Sequence, residues 1–257
     1  MSECYFRRTS ENTYESTDFT RSNWTPEIQH GSPPLALLTK SIEEHLDGSG
    51  LRVGRLTLDI LGAIPVAPVR VQTSVPRPGK RIALVAAEMA TLDAPDRPVA
   101  RVTAWALATS DTAAGASDRF PPLADTDDEP LPDYWWNAPG YLESVDWRRQ
   151  QDDAGARVFW LRPRVGLVDD EPTTGLQRLT MVVDSANGIG SALNPDEYIF
   201  MNTDTALHLH RLPTGDEFAV RARGSIGPDG IGVTTAEIFD RTGFVGTSAQ
   251  TLLVQKR

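Results

Sequence analysis

Hydrophobic and polar residues recur in two similar blocks of the chain. Each block holds four short runs rich in Val, Leu, Ile, Thr and Ala, bounded by Pro, Gly or Asp, which is typical of β-strands joined by turns. The runs of the first block span residues 52–62, 66–76, 80–92 and 98–109. Those of the second block span residues 198–211, 217–226, 231–239 and 244–255. The turns correspond as well, so the pattern predicts an internal duplication.

A segment with helical periodicity precedes each block. Residues 33–46 carry an apolar face, with Ser32 as the predicted N-cap and Pro33 in the first helical position. Residues 174–189 carry a second apolar stripe with spacings of three and four residues. Further strands are predicted at 5–16, 141–148 and 157–167. A helix followed by an antiparallel meander is an α+β unit. Two such units sharing one extended sheet that wraps its helices would form a double hotdog.

The segment between the two units is rich in Pro, Asp and small residues, which is typical of a linker. We therefore predict an N-terminal hotdog subdomain, a linker and a C-terminal hotdog subdomain over residues 1–110, 111–139 and 140–257. Within the linker, the aromatic residues Tyr134, Trp135 and Trp136 are expected to dock on a subdomain.

Composition narrows the class of protein. The chain has 257 residues, and 25 Lys and Arg against 35 Asp and Glu give a net charge of −10, which argues against nucleic-acid binding. Cys4 is the sole cysteine, so an intrachain disulfide is excluded and a reducing compartment is favoured. The sequence has no apolar run of membrane-spanning length and no signal-peptide core at its start. We expect a cytoplasmic protein without a membrane span.

Several catalytic signatures are absent from the sequence, including the G-x-S-x-G elbow, H-E-x-x-H, the P-loop and G-x-G-x-x-G. His208 and His210 share a strand face with Asp204, as they would in a metal site. No third histidine or cysteine lies at ligand spacing, so a polar sheet face is the favoured interpretation and no metal is expected.

Three places carry candidate chemistry. Thr180, Asp184 and Asn187 form a polar line along the second predicted helix. The sequence alone favours a solvent-facing stripe. The alternative is that Asp184 faces a cleft between sheet and helix, where it could deprotonate a water. Gln250 lies on the last predicted strand, where a Gln is usually solvent-facing. The matching position of the first block is Ala104, and this asymmetry suggests a site that only the second block keeps. Gly31, before the first helix, could free backbone N–H groups for an oxyanion or be part of a plain turn.

Three runs resemble a known family. They are W-x-P-x-x-Q-H-G-x-P-P-x-A-L-L at 24–38, D-S-A-N-G-x-G-S-A-L at 184–193 and N-T-D-x-x-x-H-L-H-R at 202–211. Together they resemble the acyl-CoA thioesterase II-like group of the thioesterase superfamily, in particular its actinobacterial members. The resemblance covers nearly the whole chain apart from 110–139. It implies a double hotdog, an acyl-CoA substrate hydrolysed to free acid and CoA, no cofactor, and a homo-oligomer.

The resemblance also implies site residues. Enzymes of this group orient a water with an Asp on the second hotdog helix, a Thr on the following strand and a Gln on the final strand. Aligned on the motifs, these fall on Asp184, Asn202 and Gln250, so that an Asn stands at the family's Thr position. An Asn amide can also hydrogen-bond a water or a carbonyl. The predicted substrate-binding residues are His30, Gly31 and Thr203. The group usually reads H-G-G where this chain has Ser32 as the third residue.

Two other functions remain open at this point. Asn202 at the Thr position would suit a non-catalytic protein that binds acyl-CoA or another apolar ligand. His30 near a helix start would suit a hydratase or dehydratase of enoyl thioesters, although the Asp and Gln matches weigh against it. Two clusters of basic residues are candidates for binding the CoA phosphates. Alternatively, they are solvated ends of strands. They are Arg77, Lys80 and Arg81, and Arg162, Arg164 and Arg211.

Overall fold

The computed structural model describes residues 3–124, 126–131, 139–153, 155–191 and 193–257. Tyr134, Trp135 and Trp136 lie outside the described residues. The helices are α1 (Ser32–Leu46), α2 (Gly175–Thr180) and α3 (Ala186–Gly190). The strands are β1 (Cys4–Ser10), β2 (Thr13–Ser16), β3 (Leu51–Ile60), β4 (Pro68–Arg77), β5 (Ile82–Thr91), β6 (Ala100–Ala108), β7 (Asp128–Glu129), β8 (Val145–Asp153), β9 (Ala156–Pro163), β10 (Gly166–Val168), β11 (Tyr198–Asn202), β12 (Asp204–Leu209), β13 (Phe218–Ile226), β14 (Ile231–Asp240) and β15 (Gly243–Lys256).

The described strands form one sheet in the order β10-β1-β2-β4-β5-β6-β3-β12-β15-β14-β13-β9-β8-β7, with β11 beside β15. The two halves of the chain join where β3 pairs antiparallel with β12, for example at Leu56 and Leu207. Both leucines belong to one apolar core that runs through both halves. The predicted α+β double hotdog is therefore confirmed, with α1 packed on the first half of the sheet and α3 on the second.

The sheet curls so that its two ends meet. β9 lies near one end of the strand order and β10 forms the other end, yet only residues 164 and 165 separate them. β10 pairs in parallel with β1, through Cys4 and Gly166. Two of the predicted strands are each divided into two strands in the structure. Residues 5–16 form the β1–β2 hairpin, and residues 157–167 are divided between β9 and β10.

The predicted strand at 198–211 is also two strands, which are separated at Thr203. Asn202 pairs with Leu252 and Ala206 pairs with Ala249, so four steps along this segment oppose three along β15. One extra residue shifts the alternation of side chains by one position, as a β-bulge does. Strict alternation along residues 198–211 would put Asn202 and Thr205 on opposite faces, but with the bulge both side chains bind Asp184.

The predicted helix at 174–189 is interrupted. Thr174 caps α2 through a capping box with Gln177, and a 3₁₀ turn at Val183–Ser185 follows before α3 begins. The polar line of Thr180, Asp184 and Asn187 is buried. Its interpretation as a solvent-facing stripe is wrong, because this segment lies between the sheet and α1.

Polar contacts of α1 with α2 and with the residues just before it also join the two halves. Lys40 of α1 forms an ion pair with Glu171 at 2.8 Å. Glu43 of α1 accepts hydrogen bonds from the side chains of Thr174 at 2.8 Å and Gln177 at 2.7 Å. The subdomain boundaries at residues 110 and 140 remain a prediction. Within the described ranges, no helix is long and apolar enough to cross a membrane.

Candidate active site

The Asp184 carboxylate lies at the centre of a polar cluster built from four elements. Its Oδ1 accepts hydrogen bonds from Asn202 Nδ2 at 2.8 Å, from Gln250 Nε2 at 3.2 Å and from the Thr205 hydroxyl. The 3₁₀ turn carries Asp184, β11 ends in Asn202, and β12 and β15 carry Thr205 and Gln250. Three donors on one oxygen fix the orientation of the carboxylate.

The donors also bind one another. Thr205 Oγ1 accepts from Gln250 Nε2 at 2.8 Å and from Asn202 Nδ2 at 3.2 Å. Gln250 Nε2 further donates to the backbone oxygen of Asp184 at 3.0 Å. Gln250 is therefore buried, and its interpretation as a solvent-facing residue is wrong. Sequence reasoning missed Thr205, because strict alternation placed it on the far face and only pairing with β15 reveals the bulge.

The other oxygen of Asp184, Oδ2, faces the start of α1 from the first half of the chain. A Cβ atom on Gly31 would lie 2.9 Å from Asp184 Cγ and nearer still to Oδ2. His30 Nδ1 lies 3.9 Å from Oδ2. Only a residue without a side chain fits between α1 and this carboxylate, so the site requires both halves of the chain.

His30 is held as a neutral imidazole. Burial lowers its pKa to about 4, although the nearby Asp184 carboxylate acts in the opposite direction. Its Nδ1 accepts the Ser32 backbone N–H at 3.1 Å, which assigns the ring hydrogen to Nε2. The ring stacks on Tyr141 with 3.7 Å between centroids. His30 therefore has one N–H to donate and little tendency to bind a proton at neutral pH.

Tyr141 connects the start of α1 with the start of α3 through hydrogen bonds. Its hydroxyl lies 3.2 Å from Ser32 Oγ, 2.8 Å from Ser185 Oγ and 3.0 Å from the Met181 carbonyl. Burial raises the pKa of Tyr141, so the phenol stays protonated. Ser32 is the first residue of α1 and Gly31 is its N-cap, one position earlier than predicted. The Ser32 hydroxyl thus contacts Tyr141 rather than capping the helix.

The start of α1 offers few backbone donors. Pro33 and Pro34 lack an N–H, and the Ser32 N–H is bound to His30. The Gly31 N–H has no acceptor among the described residues. One backbone donor is therefore free beside Asp184 Oδ2.

A cavity of about 390 Å³ adjoins Asp184, between the two halves. His30, Gly31, Asn202 and Thr203 line it together with Asp184. Its walls are mainly apolar, formed by Trp24, Ile28, Ile60, Ile64, Leu142, Trp147, Leu193, Phe200, Met201 and Leu253. Its described lining includes no Lys or Arg. The cavity can accept an apolar group and present it to the free side of Asp184.

The two basic clusters do not border this cavity. Arg211 forms two 2.6 Å bonds with Asp240, which favours a structural role, and Arg162 pairs with Asp216 at 2.7 Å. Arg77 ends β4, a strand of 10 residues. It is not among the described residues that line the cavity.

The strand face with His208, His210 and Asp204, for which a polar sheet face was the favoured interpretation over a metal site, is turned away from the Asp184 cluster. His208 is exposed, and His210 packs against Phe244 at 5.9 Å. Asp204 accepts the Thr251 backbone N–H at 3.0 Å. Among the residues that the structure describes, no group of three or more His, Cys, Asp or Glu could hold a metal ion.

Comparisons with known proteins agree with this fold. Residues 20–107 match the acyl-CoA thioesterase N-terminal domain, and residues 117–254 match the acyl-CoA thioesterase C-terminal domain. No curated protein matches the chain significantly.

Among solved structures, a hot dog protein from Alicyclobacillus acidocaldarius superposes with a TM-score of 0.71 at 13% identity, covering 96% of this chain and 95% of that chain. The acyl-CoA thioesterase II TesB2 of Mycobacterium marinum gives 0.67 at 15% identity, covering 98% and 95%. The tesB protein of Mycobacterium avium subs paratuberculosis gives 0.65 at 13% identity, covering 97% and 95%. At these identities the likeness shows the shared fold.

The duplicated helix-and-sheet units define a double-hotdog protein with a polar cluster at the seam between them. The chain belongs to the acyl-CoA thioesterase family, because its two domain profiles together span most of the sequence. It is therefore a hydrolase that acts on acyl thioesters.

Proposed function

We propose that this protein hydrolyses acyl-CoA to a free acid and CoA, with Asp184 as the general base. The observation that supports this most is the asymmetry of the carboxylate. Three donors occupy Oδ1, whereas Oδ2 faces Gly31 and His30 beside the cavity. A fixed carboxylate with one accessible oxygen is suited to take a proton from a water.

In the reaction, Asp184 Oδ2 removes a proton from water while the water oxygen attacks the thioester carbonyl carbon. The carbon–sulfur bond then breaks, and the proton passes to the departing thiolate. General base catalysis by a positioned side chain typically contributes ~10²–10⁴-fold. The products are the carboxylic acid and CoA, and the step needs no cofactor.

The other polar residues differ in role. Asn202 lines the cavity and is placed to contact the water as well as Oδ1. Thr205 and Gln250 are buried behind the carboxylate, so we assign them to positioning Asp184. This assignment gives the chain a Thr, an Asp and a Gln in mutual contact, as the family pattern requires, without relying on Asn202.

The carbonyl oxygen becomes negatively charged as the water attacks. We assign the stabilisation of this charge to the free Gly31 N–H and the His30 Nε2–H, because both residues line the cavity beside Asp184. In other enzymes the loss of one such donor costs ~3–4 kcal/mol. A neutral His30 suits this role, whereas a dehydratase would need it to exchange a proton.

The test is thiol release from acetyl-CoA through palmitoyl-CoA, with wild type, Asp184→Asn and Asp204→Asn side by side. Asp204 is the matched control, since its carboxylate binds the Thr251 backbone N–H and, among the described residues, makes no contact with Asp184. A no-substrate blank accounts for Cys4. We expect activity in wild type and in Asp204→Asn, and a loss of ~10²–10⁴-fold in Asp184→Asn. Activity that survives Asp184→Asn would refute the assigned base. Inactive wild type that still binds acyl-CoA would favour a binding protein.

A further inference from the structure

We propose, on the basis of that function, that the acyl chain extends from Asp184 toward Trp147 and Leu142. These two side chains form the end wall of the acyl site. The substrate class is therefore short- to medium-chain acyl thioesters, and the thiol-bearing arm leaves past Met201 and Leu253.

Two different series of contacts connect Asp184 with the lining of the cavity. On one side, His30 stacks on Tyr141 at 3.7 Å, and Tyr141 meets the Trp147 ring edge-on at 6.2 Å. On the other side, Asp184 bonds Asn202 at 2.8 Å. Met201 is the next residue toward the N-terminus and pairs with Leu253 across the sheet. With the thioester group at Asp184, the acyl chain can therefore extend toward Trp147, and the CoA portion can extend toward Met201 and Leu253.

The two ends differ in exposure. Trp147 is 7% exposed and belongs to the main apolar core, against which Leu142 packs. Met201 and Leu253 are 39% and 42% exposed. CoA carries charged phosphates, and the described lining offers them no Lys or Arg. The arm must therefore reach solvent at the exposed end, which leaves the closed, apolar end for the acyl chain.

The closed end is rigid. The Trp147 indole N–H donates to the Leu142 carbonyl at 2.8 Å, and Tyr141 behind it is itself fixed by hydrogen bonds to Met181 and Ser185. The volume of about 390 Å³ is near the lower limit of the ~300–1,000 Å³ usual for small-molecule sites. A long chain would have to displace this wall, so chain length is limited.

The experiment measures kcat/KM across saturated acyl-CoAs from acetyl to palmitoyl for wild type, Leu142→Ala and Leu253→Ala. Each added methylene that finds apolar contact should raise kcat/KM about fourfold until the chain meets the wall. We expect a maximum below palmitoyl in wild type. Leu142→Ala should move the maximum to longer chains, whereas the same truncation at Leu253 should leave its position unchanged. Trp147→Phe is a second wall variant in case Leu142→Ala does not fold.

A maximum that moves in Leu253→Ala but not in the wall variants would overturn the proposed direction, as would a profile that no variant shifts. The affinity for each acyl-CoA of the panel is also measured by tryptophan fluorescence. The proteins are the Asp184→Asn variant and the double variant with Asp184→Asn and Leu142→Ala. If wild type hydrolyses no member of the panel but binding shows the length limit and its shift, the proposed hydrolysis fails while the acyl site stands. If binding shows no limit, the acyl site fails regardless of turnover.

Discussion

The contact between Gly31 and Asp184 gives the sharpest test of the site. The Gly31 backbone lies at φ −67° and ψ −25°, which alanine also adopts readily. The substitution Gly31→Ala therefore acts through space rather than through backbone strain. Its new Cβ would lie 2.9 Å from Asp184 Cγ, whereas carbon atoms prefer about 3.5–4.0 Å.

To relieve this contact, the carboxylate must retreat by about 0.6–1 Å, or the start of α1 must shift by as much. Asn202 Nδ2 lies 2.8 Å from Oδ1, so a change of this size breaks or distorts that hydrogen bond. Misplacing a reacting group by about 1 Å can cost about 10²-fold in rate. We expect kcat to fall by ~10–100-fold and stability to fall by ~1–3 kcal/mol, as in other overpacked sites.

The assay is kcat and KM for thioester hydrolysis, with thermal unfolding of the same samples. Gly62→Ala is the matched control, because Gly62 lines the same cavity and a Cβ there meets nothing within 4 Å. It should retain near-wild-type kcat and stability. A Gly31→Ala protein with wild-type kcat would refute the reasoning, and so would an equal loss in Gly62→Ala.

Three further predictions follow from other contacts. Thr205→Val removes a donor to a charged group and should lower kcat at least ~10-fold, while Thr235→Val, at an exposed position of β14 outside the cavity lining, should not; equal kcat values would remove Thr205 from the site. His30 binds a proton at about pH 4 when folded and near 6.5 when unfolded, so stability should rise with pH from 4 to 6.5 by at most ~3 kcal/mol. Urea unfolding at several pH values should show this slope, and His30→Gln should reduce it. Hydrogen bonds from Arg8, and then Lys40, lower the pKa of Glu171 to about 2, so Glu171→Gln should cost ~1–3 kcal/mol above pH 4.5 and progressively less toward pH 2, measured as Tm.

The strand and helix patterns predicted most of the fold, for identifiable reasons. Residues of β6, and of the first half of β4, alternate between buried and more exposed positions because one face of the sheet covers the core, and this alternation is visible in the sequence. The bulge at Thr203 is not visible, because it arises from the register with β15 rather than from the residue types. This is why Thr205 escaped detection while Asp184 and Gln250 were found through the resemblance.

Burial of the second helix was misjudged for a similar reason. An amphipathic pattern reports one apolar face, but it does not show whether another helix covers the polar face. Here α1 packs against α2, so Thr180 and Asp184 are enclosed and bonded. The meeting of Gly31 with Asp184 is likewise a long-range contact, which local periodicity does not encode.

The curled sheet has a consequence for how the chain reaches its folded state. Cys4 pairs with Gly166, which is 162 positions later (166 − 4). During synthesis the N-terminal half emerges first. The edge of β1 that pairs with β10 therefore stays unpaired until β10 leaves the ribosome. An exposed strand edge is a template for aggregation, and such distant pairings slow folding. A nascent chain stalled in the linker would therefore carry an open edge and no Asp184, and chaperones that shield β1 should raise the yield of active protein.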